Sequence, residues 1–321
     1  MKEYIEKNQP IFYNLIKNEF SQQRIPHAFL LIGNNTNIPL TYLAMSLICD
    51  ETLACENCND CRKVKENKYS DIIRFNGKDN SIKKGNIELI QDTFKKSSLE
   101  GKAKIYIIEN IEYATKEAMN TLLKMLEEPT EGIYAIFTAN NASRVLPTIL
   151  SRCQVIDIKP DSKEVIIGAL CQDGITKESA HILAYLAPSI EEAKTLYDER
   201  FEYMQLQVIN FIEDLFLKRA NLIINTQTNL LKKYKERDDI KLFLNMLVLA
   251  MKDMFHVKHT DDIVYCEHQE FLRNIKIDES QLIKQIEIVL ETIYTIESKE
   301  DDKTYLERMD DNLTKILGSL Q

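Results

Sequence analysis

From Ser189 to Leu317 the chain has neither glycine nor proline. All seven prolines and seven of the eight glycines lie at or before Pro188. A sheet with its turns does not fit so long a stretch without either breaker, and its richness in Leu, Ile, Lys and Glu implies an all-helical second half. The chain also lacks any apolar run near the roughly 18 to 20 residues that span a bilayer, and Met1 to Lys7 has no apolar core of a signal peptide. A cytoplasmic protein without a membrane partner is expected. Positive charge is in deficit, with 41 Lys and Arg against 50 Asp and Glu, a net charge of −9 and a pI near 5.3. That balance argues against a stand-alone nucleic-acid binder, so any contact with DNA should be local or shared with partners. An odd count of seven cysteines argues against a disulfide framework. At 321 residues, two or three domains are expected.

Four of the cysteines, Cys49, Cys55, Cys58 and Cys61, stand as C-x5-C-x2-C-x2-C after an apolar helical stretch. The x2 spacers let a turn of backbone present several thiolates to one ion, and four thiolates suit a tetrahedral zinc with no open position for water. A structural zinc module over 49–61 is expected. Cys153, Cys171 and Cys266 are scattered, and His256, His259, Cys266 and His268 lack tight paired spacing, so they read as surface and core residues.

The first half alternates between two periods. Short apolar runs at 28–32, 71–75, 104–108, 133–138 and 155–158 read as strands buried on both faces. Helical patterns lie at 11–23, with Pro10 in the first turn, and at 40–48, 87–94 and 116–126, the last stopped by Glu127-Glu128-Pro129. Strands alternating with helices imply a parallel sheet with helices on both faces, an α/β class that holds nucleotides at the carboxyl ends of its strands.

The loop after the first strand is therefore the place for a phosphate cradle. A P-loop reads G-x4-G-K-[ST]. Here Gly33 is present, but Ile38, Pro39 and Leu40 replace the glycine, the lysine and the hydroxyl residue. A charge-assisted phosphate contact, a magnesium ligand and a backbone N–H are thereby lost. The strand at 104–108 ends in Glu109-Asn110 rather than the Asp-Glu of an active ATPase of this kind, and Asn110 cannot act as a carboxylate base. Tight ATP binding in this chain's own site is not expected.

Several stretches together resemble the delta-prime subunits of the bacterial DNA polymerase III clamp loader, an AAA+ family. They are Arg24 to Leu31, the zinc cysteines, Lys104 to Asn110, Asn120 to Pro129 and Leu146 to Cys153. The last two are similar to the family patterns N-x-L-L-K-x-L-E-E-P and L-P-T-I-x-S-R-C nearly residue for residue. Tau/gamma subunits share these blocks, but they resemble active ATPases with an intact G-K-[ST] and run longer, whereas delta-prime chains typically have a degraded P-loop. The related delta subunit usually lacks both the zinc cluster and the Ser-Arg-Cys motif.

The resemblance implies an AAA+ α/β domain with its zinc module at 1–160, a helical lid at 161–205 and a helical collar at 206–321 that oligomerises. It implies a non-hydrolysing, stator-like subunit of a hetero-pentamer with tau/gamma and delta, which helps load the sliding clamp onto primed DNA. The chain itself would show no ATPase activity while serving a nucleotidyltransferase complex. Within Ser151-Arg152-Cys153, Arg152 looks like an arginine finger that completes a neighbour's ATP site. Asn140 and Asn141 follow the fourth strand where the family's ATPases carry polar residues. In 188–193, which resembles the sensor helix, Glu191 replaces an arginine and would repel phosphate. The alternatives are an active ATPase of tau/gamma type, which would bind magnesium ATP alone, and a zinc-bearing interaction module outside replication, which would form no complex with these subunits.

Overall fold

In a computed structural model, the five apolar runs form five parallel strands: β1 (Ala28–Ile32), β2 (Ile72–Asn76), β3 (Lys104–Glu109), β4 (Ile133–Ala139) and β5 (Gln154–Asp157). They lie side by side in the order β2-β3-β4-β1-β5. The structure describes residues 1–78, 81–95, 98–218, 236–260 and 262–297. The chain divides into two compact units, Met1–Asp161 and Ser162–Gln321.

In the first unit, α1 (Lys2–Asn8) and α2 (Pro10–Ser21) precede the sheet, and Pro10 occupies the first turn of α2, where its missing N–H costs nothing. Then follow α3 (Asn37–Ile48), α4 (Asn59–Lys65), α5 (Lys84–Phe94), α6 (Lys116–Glu127) and the single turn α7 (Pro147–Leu150). Successive strand residues point to opposite faces. Phe29, Leu31, Ile105, Ile107 and Ile136 pack with Phe12, Ile16, Leu40 and Leu43. Leu30, Tyr106, Ile108, Ala135 and Phe137 pack with Ile87, Ile90, Leu122 and Leu126. The central strands β3, β4 and β1 are buried on both faces, which is why they show no polar alternation, whereas the edge strands β2 and β5 stay partly exposed because each has a neighbour on one side only.

In the second unit the described residues are helical: α8 (Lys163–Gln172), α9 (Lys177–Leu186), α10 (Ile190–Leu196), α11 (Glu199–Glu213), α12 (Arg237–His256), α13 (Gln269–Asn274) and α14 (Glu279–Glu297). A π-helical turn, Asp214–Lys218, continues α11. Ser162, Thr176, Ser189 and Asp198 each cap a helix by accepting a backbone N–H three residues on. One apolar cluster runs from Ile166 through Phe201, Phe243 and Met251 to Ile296. Part of the collar range expected at 206–321 lies outside the described residues.

Candidate functional site

Two groups of residues lie at the carboxyl end of the sheet, and a third lies at its amino end, just before β5. The first is the loop after β1. Gly33 has φ +141°, and a Cβ there would meet the carbonyl oxygen of Ile158 at 2.3 Å, so only glycine fits. Asn35 is buried and donates to Asp161 Oδ1 at 2.9 Å and to the Tyr4 hydroxyl at 3.0 Å, while Tyr4 also donates to Asp161. Gln9 pairs with the backbone of Lys159 in both directions, at 2.7 and 3.1 Å. The N-terminal helices thus reach the residues after β5 and, through Tyr4, the loop that follows Gly33. Pro39 and Leu40 are buried in the first turns of α3, with Leu40 packed into the core, and Ile38 packs against the same cluster. At these positions the chain presents packing residues.

The second group is the end of β3. Glu109 accepts a two-point ion pair from Arg74 of β2, Nε to Oε1 at 2.7 Å and Nη2 to Oε2 at 3.0 Å. The same guanidinium donates to Asn67 Oδ1 at 3.0 Å and reaches Asn37 Oδ1 at 3.5 Å, at the start of α3. A bidentate pair of this kind fixes both carboxylate oxygens, so the carboxylate at the end of β3 already has a cation of its own. Asn110, in the left-handed region at φ 52°, donates to Asn76 Oδ1 at 2.9 Å, and its backbone N–H donates to Thr138 Oγ1 at 3.0 Å. Asn140 Nδ2 approaches Asn110 Oδ1 at 3.5 Å, and the Asn140 N–H donates to Glu112. Asn141 caps the short turn at 142–144.

The third group follows α7. Cys153 packs against the core, and burial pushes its thiol up to about 12. Arg152 stays about one third exposed and pairs with Glu127 at 2.8 Å. Glu191, in the first turn of α10, belongs to the second unit.

The cysteine module hangs between α3 and α4. The sulfurs of Cys49, Cys55, Cys58 and Cys61 lie within 4.8 Å of one another, with Cys55 and Cys61 at 4.0 Å. Metal–sulfur bonds of roughly 2.3 Å in a tetrahedron place sulfurs about 3.8 Å apart, so these residues fit a single ion of that type. Backbone N–H groups of Cys58 and Cys61 point at the sulfurs of Cys55 and Cys58, at 3.3 and 3.4 Å. The N–H groups of Asn57 and Cys58 lower the Cys55 thiol to about 7, whereas burial raises those of Cys49 and Cys61. Lys102 braces the module through Asp50 at 2.7 Å and Asp60 at 2.9 Å. Glu56, at φ 62°, accepts the backbone N–H of Lys2 and so ties the module to α1. Among the described residues no other group of His, Cys, Asp or Glu is placed to hold a metal. His268 is committed to the buried Glu178, at 3.0 Å.

A groove of about 580 Å³ lies at the opposite end of the strands, lined by His27, Phe94, Tyr106, Lys124, Glu128 and Ile133. It is not at the nucleotide end.

Sequence reasoning missed Arg74, Tyr4, Asn35 and Asp161. A single arginine inside the apolar run Ile72-Ile73-Arg74-Phe75 was the available signal for the first, since a charge in an apolar, half-buried strand calls for a partner. The partners of the others are set by contacts between residues 31 to 157 positions apart, which no local pattern announces.

The five-stranded parallel sheet and the helices packed on its two faces define an α/β unit. A family profile described as DNA polymerase III, delta subunit, matches residues 8–162. The Bacillus subtilis DNA polymerase III subunit delta' is 29% identical over 276 residues, 84% of this chain and 83% of that one. The Bacillus subtilis subunit tau is 25% identical over 306 residues, 84% of this chain and 52% of that one. A solved structure of a gamma subunit-related protein from Thermotoga maritima is 14% identical, with a TM-score of 0.46 and coverage of 95% of this chain and 97% of that one. The chain is thus similar to the delta' and tau subunits of DNA polymerase III, and the profile match covers nearly all of its first unit. No helix among the described residues is long and apolar enough to cross a membrane.

Proposed function

We propose that the chain is the delta-prime type of clamp-loader subunit: it holds no nucleotide in its own site and supplies Arg152 to the ATP site of a neighbour. The observation that carries this reading is the contrast between a group at the carboxyl end of the strands and one at their amino end. Glu109 is paired on both oxygens with Arg74, beside a loop without lysine or hydroxyl, while Arg152 sits at the surface. A guanidinium brought against a transferring phosphoryl group stabilises the charge that develops on its oxygens, by about 10³ to 10⁵ in rate when supplied in trans.

In this reading the four cysteines hold a structural zinc, with every coordination position filled by thiolate. Residues 1–160 form the AAA+ domain, 161–205 the lid and 206–321 the collar, through which the chain joins tau/gamma and delta in a cytoplasmic pentamer. The pentamer acts on the sliding clamp and primed DNA as a stator-like assembly in which this subunit does not hydrolyse ATP. The test has two parts. Calorimetric titration of the purified chain with magnesium ATP is expected to show no binding at millimolar nucleotide, and Arg152→Ala in a reconstituted loader is expected to cut ATP turnover at least tenfold. The similarity to tau favours a second reading, an active ATPase, and tight binding of magnesium ATP by the isolated chain would establish it in place of the first.

A further inference from the structure

Pro129 ends α6, because a proline cannot continue the helix and disfavours helical backbone in the residue before it. Glu127 is left as the last helical residue. The carbonyl end of a helix disfavours an anion, so this carboxylate is not there for the benefit of its own helix. It meets Arg152, 25 positions along the chain, at 2.8 Å from Nη2. The other terminal nitrogen, Nη1, donates to the Thr148 carbonyl at 3.0 Å and lies 3.4 Å from Ser151 Oγ. The guanidinium is thus gripped at both terminal nitrogens, by the end of α6 and by the backbone of α7. The next residue, Cys153, is anchored against the core. The neighbouring carboxylate, Glu128, lines the groove at the amino end of the strands.

We infer that Glu127 is the positioning residue for Arg152, holding its guanidinium in one place at the surface so that it meets a neighbour's phosphate already ordered. The inference rests on the finger reading of Arg152. A free arginine side chain loses much rotamer freedom when it engages an anion; Glu127 and Thr148 impose that loss on folding. The pair is half-exposed and hence weak, so the guanidinium passes readily to a phosphate.

The test is a double-mutant cycle on ATP turnover by the reconstituted loader, with each variant chain first checked for an unchanged melting curve. Glu127→Ala is expected to lower kcat about fivefold, the scale of one exposed ion pair. Glu128→Ala should leave it unchanged. In an Arg152→Ala background, Glu127→Ala should have no further effect. An equal fall in both backgrounds would make Glu127 merely structural and overturn the inference, as would an unchanged kcat in the single variant. If Arg152→Ala itself leaves turnover intact, the finger reading fails first, and Glu127 has nothing to position.

Discussion

A methyl group at Gly33 would stand 2.3 Å from the carbonyl oxygen of Ile158, on a backbone with φ +141°. Both obstacles are main-chain, so neither can be relieved by turning a side chain. Gly33→Ala is expected to cost about 2 kcal/mol or more, through strain at a special backbone conformation, as a lower urea midpoint would report. Gly33 was legible in the sequence as the first glycine of a phosphate loop. The structure adds a second reason for it, a close approach to the segment after β5. Glu109 was equally legible as the carboxylate at the end of its strand. Its occupation by Arg74 was not, because the pair forms only when β2 and β3 align Asn76 with Glu109 in parallel register.

At the scale of elements, the cysteine module and α1 act together. Glu56 accepts the N–H of Lys2, and Tyr4 on the same helix reaches Asn35 and Asp161. The spacing of the cysteines was readable; that their loop would clasp an N-terminal helix was not. If the four cysteines hold a metal as proposed, a strong chelator, or replacing Cys58 by Ser, is expected to lower the melting temperature by several degrees and to speed amide exchange in residues 2–8 as well as 49–61. Exchange confined to 49–61 would show that the clasp does not transmit.

In the helical unit, Glu178 of α9 is fully buried and accepts from Gln205 Nε2, the Glu267 N–H and His268. The Glu178 hydrogen bond raises the His268 pKa above 6.5. A histidine whose pKa is raised by folding stabilises the native state below its unfolded pKa, and that contribution fades as pH rises through the folded value. Burial likewise raises the Asp253 carboxyl, to about 6 from 3.8. The folded state then binds more protons than the unfolded one between those values, so stability falls as pH rises across that window too. The contribution of Asp253 to the urea midpoint is expected to drop from about pH 4 to 6, and that of His268 above about 6.5. His268→Ala should remove the second drop and leave the first.

For the whole molecule, the nucleotide reading gives a simple expectation. A ligand that binds only the native state raises the melting temperature by an amount that grows with the logarithm of one plus the ratio of its free concentration to Kd. Magnesium ATP at millimolar concentration is therefore expected to leave the melting curve of the isolated chain unmoved, and a shift of several degrees would sink the reading.

The sequence by itself determined the α/β class of the first half, because strands buried on both faces must be apolar without alternation. It also determined the helical character of the described elements after Pro188, because a stretch without glycine or proline is poorly suited to the turns of a sheet, and it named the four thiols, because their spacing is local. Tertiary structure alone decided that Arg74 neutralises Glu109, that Tyr4 meets Asp161, and that Glu127 grips Arg152. Each of these pairs joins residues far apart in the chain, and whether two such side chains meet depends on strand order and register rather than on the identity of either one.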